Sequence, residues 1–425
     1  MRWLIKRLLS ERALFMSSKI LGLLMRPIIL LLLLQFGYEV LARDFALILT
    51  AVASSFIFLN NQNYRLAYQH FFNAREDGRG RARGLRGRDI LHDYAAGTVI
   101  HIALFLPICA FALWIWLGRA DLLVYAIILV LTEKFYDDDQ RALVYKRHYY
   151  AWTLNFALRV IWPSFVFLGM LLITGESFMA VYVAATIVGF AGYAVFQRRQ
   201  FFRLLTAVVV RRLAAAPLAE LRRYLYDYRR EFMVAQVWAV VTTNVVMIDR
   251  FLINKASPEV FAHYILVVNI ANILVTFHNL GYVSFRRPIL LMAKTNALRE
   301  LLALRNLFIP LVLAGLTLVA YVALDALGEP LTDISSWVVL AVTTLYLVHA
   351  WSLVPKELAF WRLRRGILLA CDGATLILPV IVFLAGLQTP LFIAIATCTA
   401  VTLRFMVFAL LLRYPCPSTH LSSGP

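Results

Sequence analysis

Between residues 20 and 412 the chain returns repeatedly to apolar stretches of about twenty residues, the length at which an α-helix crosses about 30 Å of hydrocarbon. This recurrence limits the fold more than any single motif does, because a backbone inside a bilayer must satisfy its own hydrogen bonds. Twelve stretches stand out: 20–38, 44–64, 95–117, 122–142, 151–173, 177–197, 232–254, 260–283, 305–325, 335–355, 367–387 and 390–412. With 62% hydrophobic and 16% charged residues and a mean hydropathy of +0.75, the chain leaves no room between them for a soluble domain. The expectation is an all-α polytopic membrane protein of about 12 transmembrane helices. Its first span is longer than the apolar part of a secretory signal and lacks an A-x-A-like cleavage site, so it is expected to remain in the mature protein.

Orientation follows from the 42 Lys and Arg residues. They crowd the amino terminus and segments 65–93, 134–147, 198–230, 286–305 and 356–365, whereas the opposite turns hold only Arg43, Arg119 and Lys255. Positive loops stay cytoplasmic, so both termini are expected on the cytoplasmic side of a cell inner membrane. The net charge of +18 is then mainly a topology signal. Attraction to anionic membrane lipids is a second effect, and nucleic acid is not an expected partner. Residues 1–19 carry Arg2, Lys6, Arg7, Arg12 and Lys19 among apolar side chains, the pattern of a helix lying in the interface.

The segment NVVMIDRFLINKASPEVFAHYILVVNIANIL (244–274) runs span, polar turn, span, and LLLLLQFGYEVLARDFALILTAVASSFIFL (30–59) has the same layout. In one register Phe45-Ala46, Val52 and Ile57 meet Phe261-Ala262, Val268 and Ile273. A diverged duplication accounts for this and predicts a six-helix bundle over 1–197, a basic interfacial linker over 198–231, a second six-helix bundle over 232–412 and a disordered tail over 413–425. Six helices per half insert both halves in the same direction, a parallel repeat.

Ionisable residues inside spans are costly and mark function by default. Arg26, Arg159, Arg250 and Arg404 fall within spans, as do Asp249, Asp372 and, marginally, Glu133. Arg26 precedes Pro27 and is placed either to snorkel or to face a cavity. Arg159 precedes Trp162-Pro163. Asp249-Arg250 reads as a mutually neutralised pair or as a coupling and substrate pair, and Asp372 and Arg404 are placed to pair across the bundle. Asn60, Asn61 and Asn63 at the end of the second span either pack on neighbours or line water. His101, His278 and His349 are each either packed helix residues or groups that titrate near neutral pH. Asp137, Asp138 and Asp139 read as a charged helix end exchanging salt bridges with Arg141, Lys146 and Arg147.

The chain has no G-x-x-x-x-G-K-[ST], H-E-x-x-H or G-x-S-x-G motif, which argues against intrinsic ATP-driven transport and against hydrolytic catalysis. Cys109, Cys371, Cys398 and Cys416 have no metal-ligand spacing. No enzyme activity, catalytic residue, metal or cofactor is expected. Four arginines against two or three acids tilt the spans toward an anionic substrate, because guanidinium grips phosphate oxygens.

With IDRFLINKASPEVFAHYILVVNI (248–270), ARDFALILTA (42–51) and EKFYDDDQRALVYKRHY (133–149), the chain resembles the polysaccharide-biosynthesis membrane proteins, the Wzx-type flippases of the multidrug/oligosaccharidyl-lipid/polysaccharide (MATE-like) exporter superfamily. The resemblance implies two pseudo-symmetric bundles that carry an undecaprenyl-pyrophosphate-linked oligosaccharide across the membrane by alternating access, driven by a proton or sodium gradient. It implies Arg26, Arg159, Arg250 and Arg404 as pyrophosphate contacts, with Asp249 and Asp372 for ion coupling. The implied partners are the lipid-linked glycan and other polysaccharide-assembly proteins. An ion-coupled antiporter of small molecules, and a non-transporting partner in a polysaccharide export assembly, are the competing readings.

Overall fold

The computed structural model describes residues 11–59, 87–146, 149–174, 179–197, 213–279, 303–326, 334–362 and 365–412, and among these every regular element is helical. The first half contains α1 (Glu11–Gln35), α2 (Glu39–Ser55), α3 (Gly87–Leu117), α4 (Ala120–Lys146), α5 (Tyr149–Phe156), a π-helical turn (Ala157–Ile161), α6 (Trp162–Thr174) and α7 (Met179–Phe196). The second contains α8 (Pro217–Asn244), α9 (Ile248–Ala256), α10 (Phe261–His278), α11 (Leu304–Ala326), α12 (Ser336–Arg362), α13 (Arg365–Leu384) and α14 (Pro390–Leu411). The protein is an all-α, multi-pass membrane protein. Among the described residues nine helices are long and apolar enough to cross a bilayer, or ten if α8 and α9 form one broken span.

Two expected spans do not join that number. The stretch 44–64 maps onto α2, whose 17 residues fall short of the about 20 needed to cross. The stretch 122–142 maps onto α4, whose second half carries Glu133, Lys134 and Asp137. In the described part of the basic segment, 217–231, α8 runs on into the apolar part without a break. No glycine or proline interrupts 218–244, and Pro217 stands at the first helical position, where its missing N–H costs nothing. Tyr224 of this segment is buried against Ile100 of α3.

Short turns join several helices. Gly37, Gly118 and Gly386 have φ of 75°, 65° and 85°, the left-handed conformation that glycine adopts without a Cβ clash. After α1, Gly37 N donates to Leu34 O at 3.0 Å and Tyr38 N to Leu33 O at 2.8 Å, which satisfies two terminal carbonyls and reverses the chain. The end of α2 is closed from elsewhere: Gln236 Nε2 donates to Ile57 O and Phe58 O, both at 3.0 Å.

Contacts divide the chain into two compact units. Unit 1 is Met1–Met25 with Leu47–Val240, and unit 2 is Arg26–Ala46 with Val241–Pro425. The boundaries of these units pass through α1, α2 and α8. In unit 1, α4 packs on α3, α5 and α7, and the π-turn packs on α7. In unit 2, α12 packs along α14, α10 and α11, and α9 rests on α13 and α14. The spans differ sharply in how much they bury. In α10 72% of the apolar stretch is buried, whereas α11 buries 22% and leaves Leu311, Leu316, Val319 and Val322 exposed.

Candidate functional site: charged groups inside the membrane helices

The fifth span bends its hydrogen-bond register for a reason visible in its sequence. Pro163 has no N–H to give to Arg159 O, the carbonyl four residues earlier, so an α register there gains no bond at that carbonyl and loses its advantage over a π-turn. Trp162 N–H bonds to Ala157 O, a five-residue step that defines the π-turn, and Ser164 Oγ donates to Val160 O at 2.7 Å. Arg159 lies inside this turn. Its Nε donates to Glu133 Oε2 of α4 as an ion pair, with 17% and 15% of the two side chains exposed. Lys19 of α1 stands over the Phe156 ring at 4.6 Å and the Trp152 ring at 5.8 Å. Asp137 is close enough to act electrostatically on both Lys19 and Arg159. Unit 1 thus gathers two cations and two carboxylates on three elements. Nearby, Tyr193 of α7 donates to Asp139. The side chains of Arg141, Lys146 and Arg147, named above as exchange partners, lie outside the described residues.

Unit 2 builds its charged groups around a broken helix. α8 and α9 meet at an angle of 52° across residues 245–247, and Asp249 enters the first turn of α9, where a carboxylate suits the helix dipole. Its Oδ1 accepts from Arg250 N at 2.8 Å, and its Oδ2 accepts from the Tyr264 hydroxyl of α10. Arg250 Nη2 donates to the Tyr346 hydroxyl of α12 at 2.5 Å. The acid and base adjacent in sequence are therefore each held by a tyrosine.

A second pair closes the other side of the break. Arg404 Nε lies 2.5 Å from Asp372 Oδ1, and both side chains are fully buried. Arg404 Nη2 also donates to Thr242 Oγ1 at 2.5 Å, two residues before α8 ends. The Phe408 ring lies 5.4 Å from the guanidinium carbon. This cross-bundle pairing is the one the sequence placed.

The other candidates are distributed differently. Arg26 sits half-buried on α1 beside Pro27. Asn60, Asn61 and Asn63 lie outside the described residues. His101 is packed: Nε2 donates to Phe58 O at 2.7 Å, which leaves Nδ1 to accept from the Tyr224 hydroxyl at 2.8 Å. His278 Nε2 pairs with Asn306 Oδ1 at 3.0 Å. His349 lies edge-on to Tyr346, within the electrostatic reach of Lys356, Arg404 and Arg250. Among the described residues no group of three His, Cys, Asp or Glu side chains could hold a metal ion.

Sequence reading missed Lys19, Thr242, Tyr264 and Tyr346. A hydroxyl at helical spacing in an apolar span was the available signal for the last three, because a polar group in hydrocarbon needs a partner. The fold and these groups define a polytopic helical membrane protein with ion pairs inside its spans. No protein-family model, no curated protein and no solved structure matches the chain.

Proposed function

We propose that the chain moves an undecaprenyl-pyrophosphate-linked oligosaccharide, or a related polysaccharide precursor, from the cytoplasmic to the outer leaflet of the inner membrane. In this reading twelve spans form two six-helix bundles that alternate in access, and both termini are cytoplasmic. The observation that carries it is the placement of arginines inside apolar helices at two backbone irregularities, the π-turn at Arg159 and the break before Arg250. Irregular backbone at membrane depth is tolerated where it is buried in protein or lines a polar path, and broken helices build many transport sites. Arg159, Arg250, Arg404 and Arg26 are the pyrophosphate contacts, Asp249 and Asp372 couple an ion gradient, and Asn60, Asn61 and Asn63 face the glycan.

One observation favours a second reading. Arg159 is matched by Glu133 and Arg404 by Asp372, while Arg250 follows Asp249 directly, so the cationic excess that pointed to an anionic substrate is largely neutralised. A balanced interior suits an ion-coupled exporter of small molecules equally well.

Complementation separates the two. The chain is expressed in a strain lacking its own O-antigen or exopolysaccharide flippase, with the chain's native glycan pathway supplied, and surface glycan is measured. Restored glycan that is lost in Arg159→Ala or Arg250→Ala at normal membrane levels supports the flippase. No restoration, together with resistance to small cationic compounds, moves the reading to the exporter.

A further inference from the structure

The π-turn has glycine on two sides. Because Trp162 N–H bonds to Ala157 O, Leu158 O loses the donor it would have in a regular helix. That carbonyl faces Gly189 of α7, where an added Cβ would stand only 2.6 Å from it. Against α1, a Cβ on Gly22 would come within 2.3 Å of the Phe156 ring and 3.3 Å of Val160 Cγ1. Backbone-close contacts of this kind are made by small residues in membrane helices, and Ala185, one turn before Gly189, accepts from Trp162 Nε1 at 3.1 Å. Both glycine contacts fall on the turn that carries Arg159.

A π-turn holds one residue more than an α-turn, so shifting it along the helix rotates the residues it passes by about 100°. Arg159 is one of those residues. In the register described here its guanidinium meets Glu133; with the extra residue moved past it, it would point away. The rotation sweeps the Leu158 and Phe156 positions, where Gly189 and Gly22 carry no side chain to be displaced. The Glu133–Arg159 pair keeps 17% and 15% of its side chains exposed, where Asp372–Arg404 keeps none, so parting it costs less than parting that sealed pair.

We propose that the π-turn is a register switch that holds Arg159 on Glu133 in one setting and releases it to an oxyanion of the phosphate class in the other. Pro163 and Gly189 are positioning residues that act through Arg159. The oxyanion rests on the proposed reading of Arg159 as a substrate contact; the register change does not.

The test reads the register directly. In a chain with its cysteines replaced by serine, nitroxide labels are placed at Ala157→Cys, a partly buried position that the shift passes, and at Ile173→Cys, an exposed position beyond the turn on the same span, and their separation is measured by pulsed electron resonance in vesicles. A switch gives two distance populations. Pro163→Ala restores the missing N–H and should collapse them to one. In that background Glu133→Gln should no longer shift the unfolding temperature, and glycan restoration should fall by on the order of tenfold or more. If Pro163→Ala does not accumulate, Gly189→Ala serves, because its Cβ presses on Leu158 O and should likewise leave one population. A single population in the unaltered turn overturns the switch without recourse to either variant. Two populations in a chain that restores no glycan would keep the switch and sink the flippase. One population in a chain whose glycan restoration depends on Arg159 would do the reverse.

Discussion

Each unit holds an arginine–carboxylate pair beside a backbone irregularity, and the two pairs are built to opposite specifications. Asp372–Arg404 is sealed, clamped by Thr242 and set against Phe408. Glu133–Arg159 is partly exposed, sits on the π-turn and has Lys19 and Asp137 close by. A sealed pair stabilises only because both members are present, since either alone is an uncompensated charge in a dry interior. An open pair can part and re-form. The comparison makes the unit 2 pair the more costly of the two to part, whatever further role its members take.

The largest effect tests the sealed pair. Asp372→Ala leaves Arg404 buried without its counter-charge and should cost about 3–5 kcal/mol in thermal unfolding of the detergent-solubilised protein. Replacing both, Asp372→Leu with Arg404→Met, should recover most of that loss; failure to recover would mean that the pair does more than fill space. Next come the tyrosine clasps. Tyr346→Phe removes the acceptor of Arg250 Nη2, and Tyr264→Phe removes a donor to Asp249, each expected to cost about 1–3 kcal/mol by the same measurement.

Glu133→Gln is expected to behave differently, with a stability loss of about 1–3 kcal/mol, below that of Asp372→Ala, and a disproportionate loss of glycan restoration in the complementation assay. A loss as large as that of Asp372→Ala would erase the distinction between the pairs. The smallest effect lies outside the spans. Arg119 Nη2 donates to Asp121 Oδ2 at 2.7 Å and holds that carboxyl below the usual carboxylate range. A depressed folded-state value contributes stability above the ordinary carboxylate range and loses it as pH falls through the depressed value. Half-exposed as it is, the pair should contribute about 0.2–1 kcal/mol at neutral pH, and Arg119→Ala should remove only that pH-dependent part.

What the sequence disclosed follows physical lines. Long apolar runs are unambiguous because the bilayer fixes their length, and α1, α3, α6, α7 and α10 to α14 lie where those runs lie. Asp372 and Arg404 were legible as a pair because two charges in adjacent apolar spans have few other partners. The break at 245–247 was not legible, since Val245, Val246 and Met247 include no glycine or proline to announce it. The π-turn left a trace in Pro163, but a proline in a membrane helix forecasts a disturbance without saying which carbonyls lose their donors. The tyrosine partners were hidden for another reason. Which helices become neighbours is decided by packing, and no spacing along the chain encodes that Tyr264 and Tyr346 face Asp249 and Arg250.

The partition of the first hairpin bears on how the molecule is made. Residues Arg26–Ala46 belong to the unit whose remaining members begin at Val241. During synthesis at about 5–20 residues per second, that hairpin emerges on the order of ten seconds or more before the chain it packs against. Its apolar surface must be sheltered meanwhile by lipid or by an insertion factor, and unit 2 closes only once its last helices have left the ribosome. A chain stopped anywhere before Val241 would therefore strand its own beginning, leaving a fragment that is inserted but unfinished at both ends.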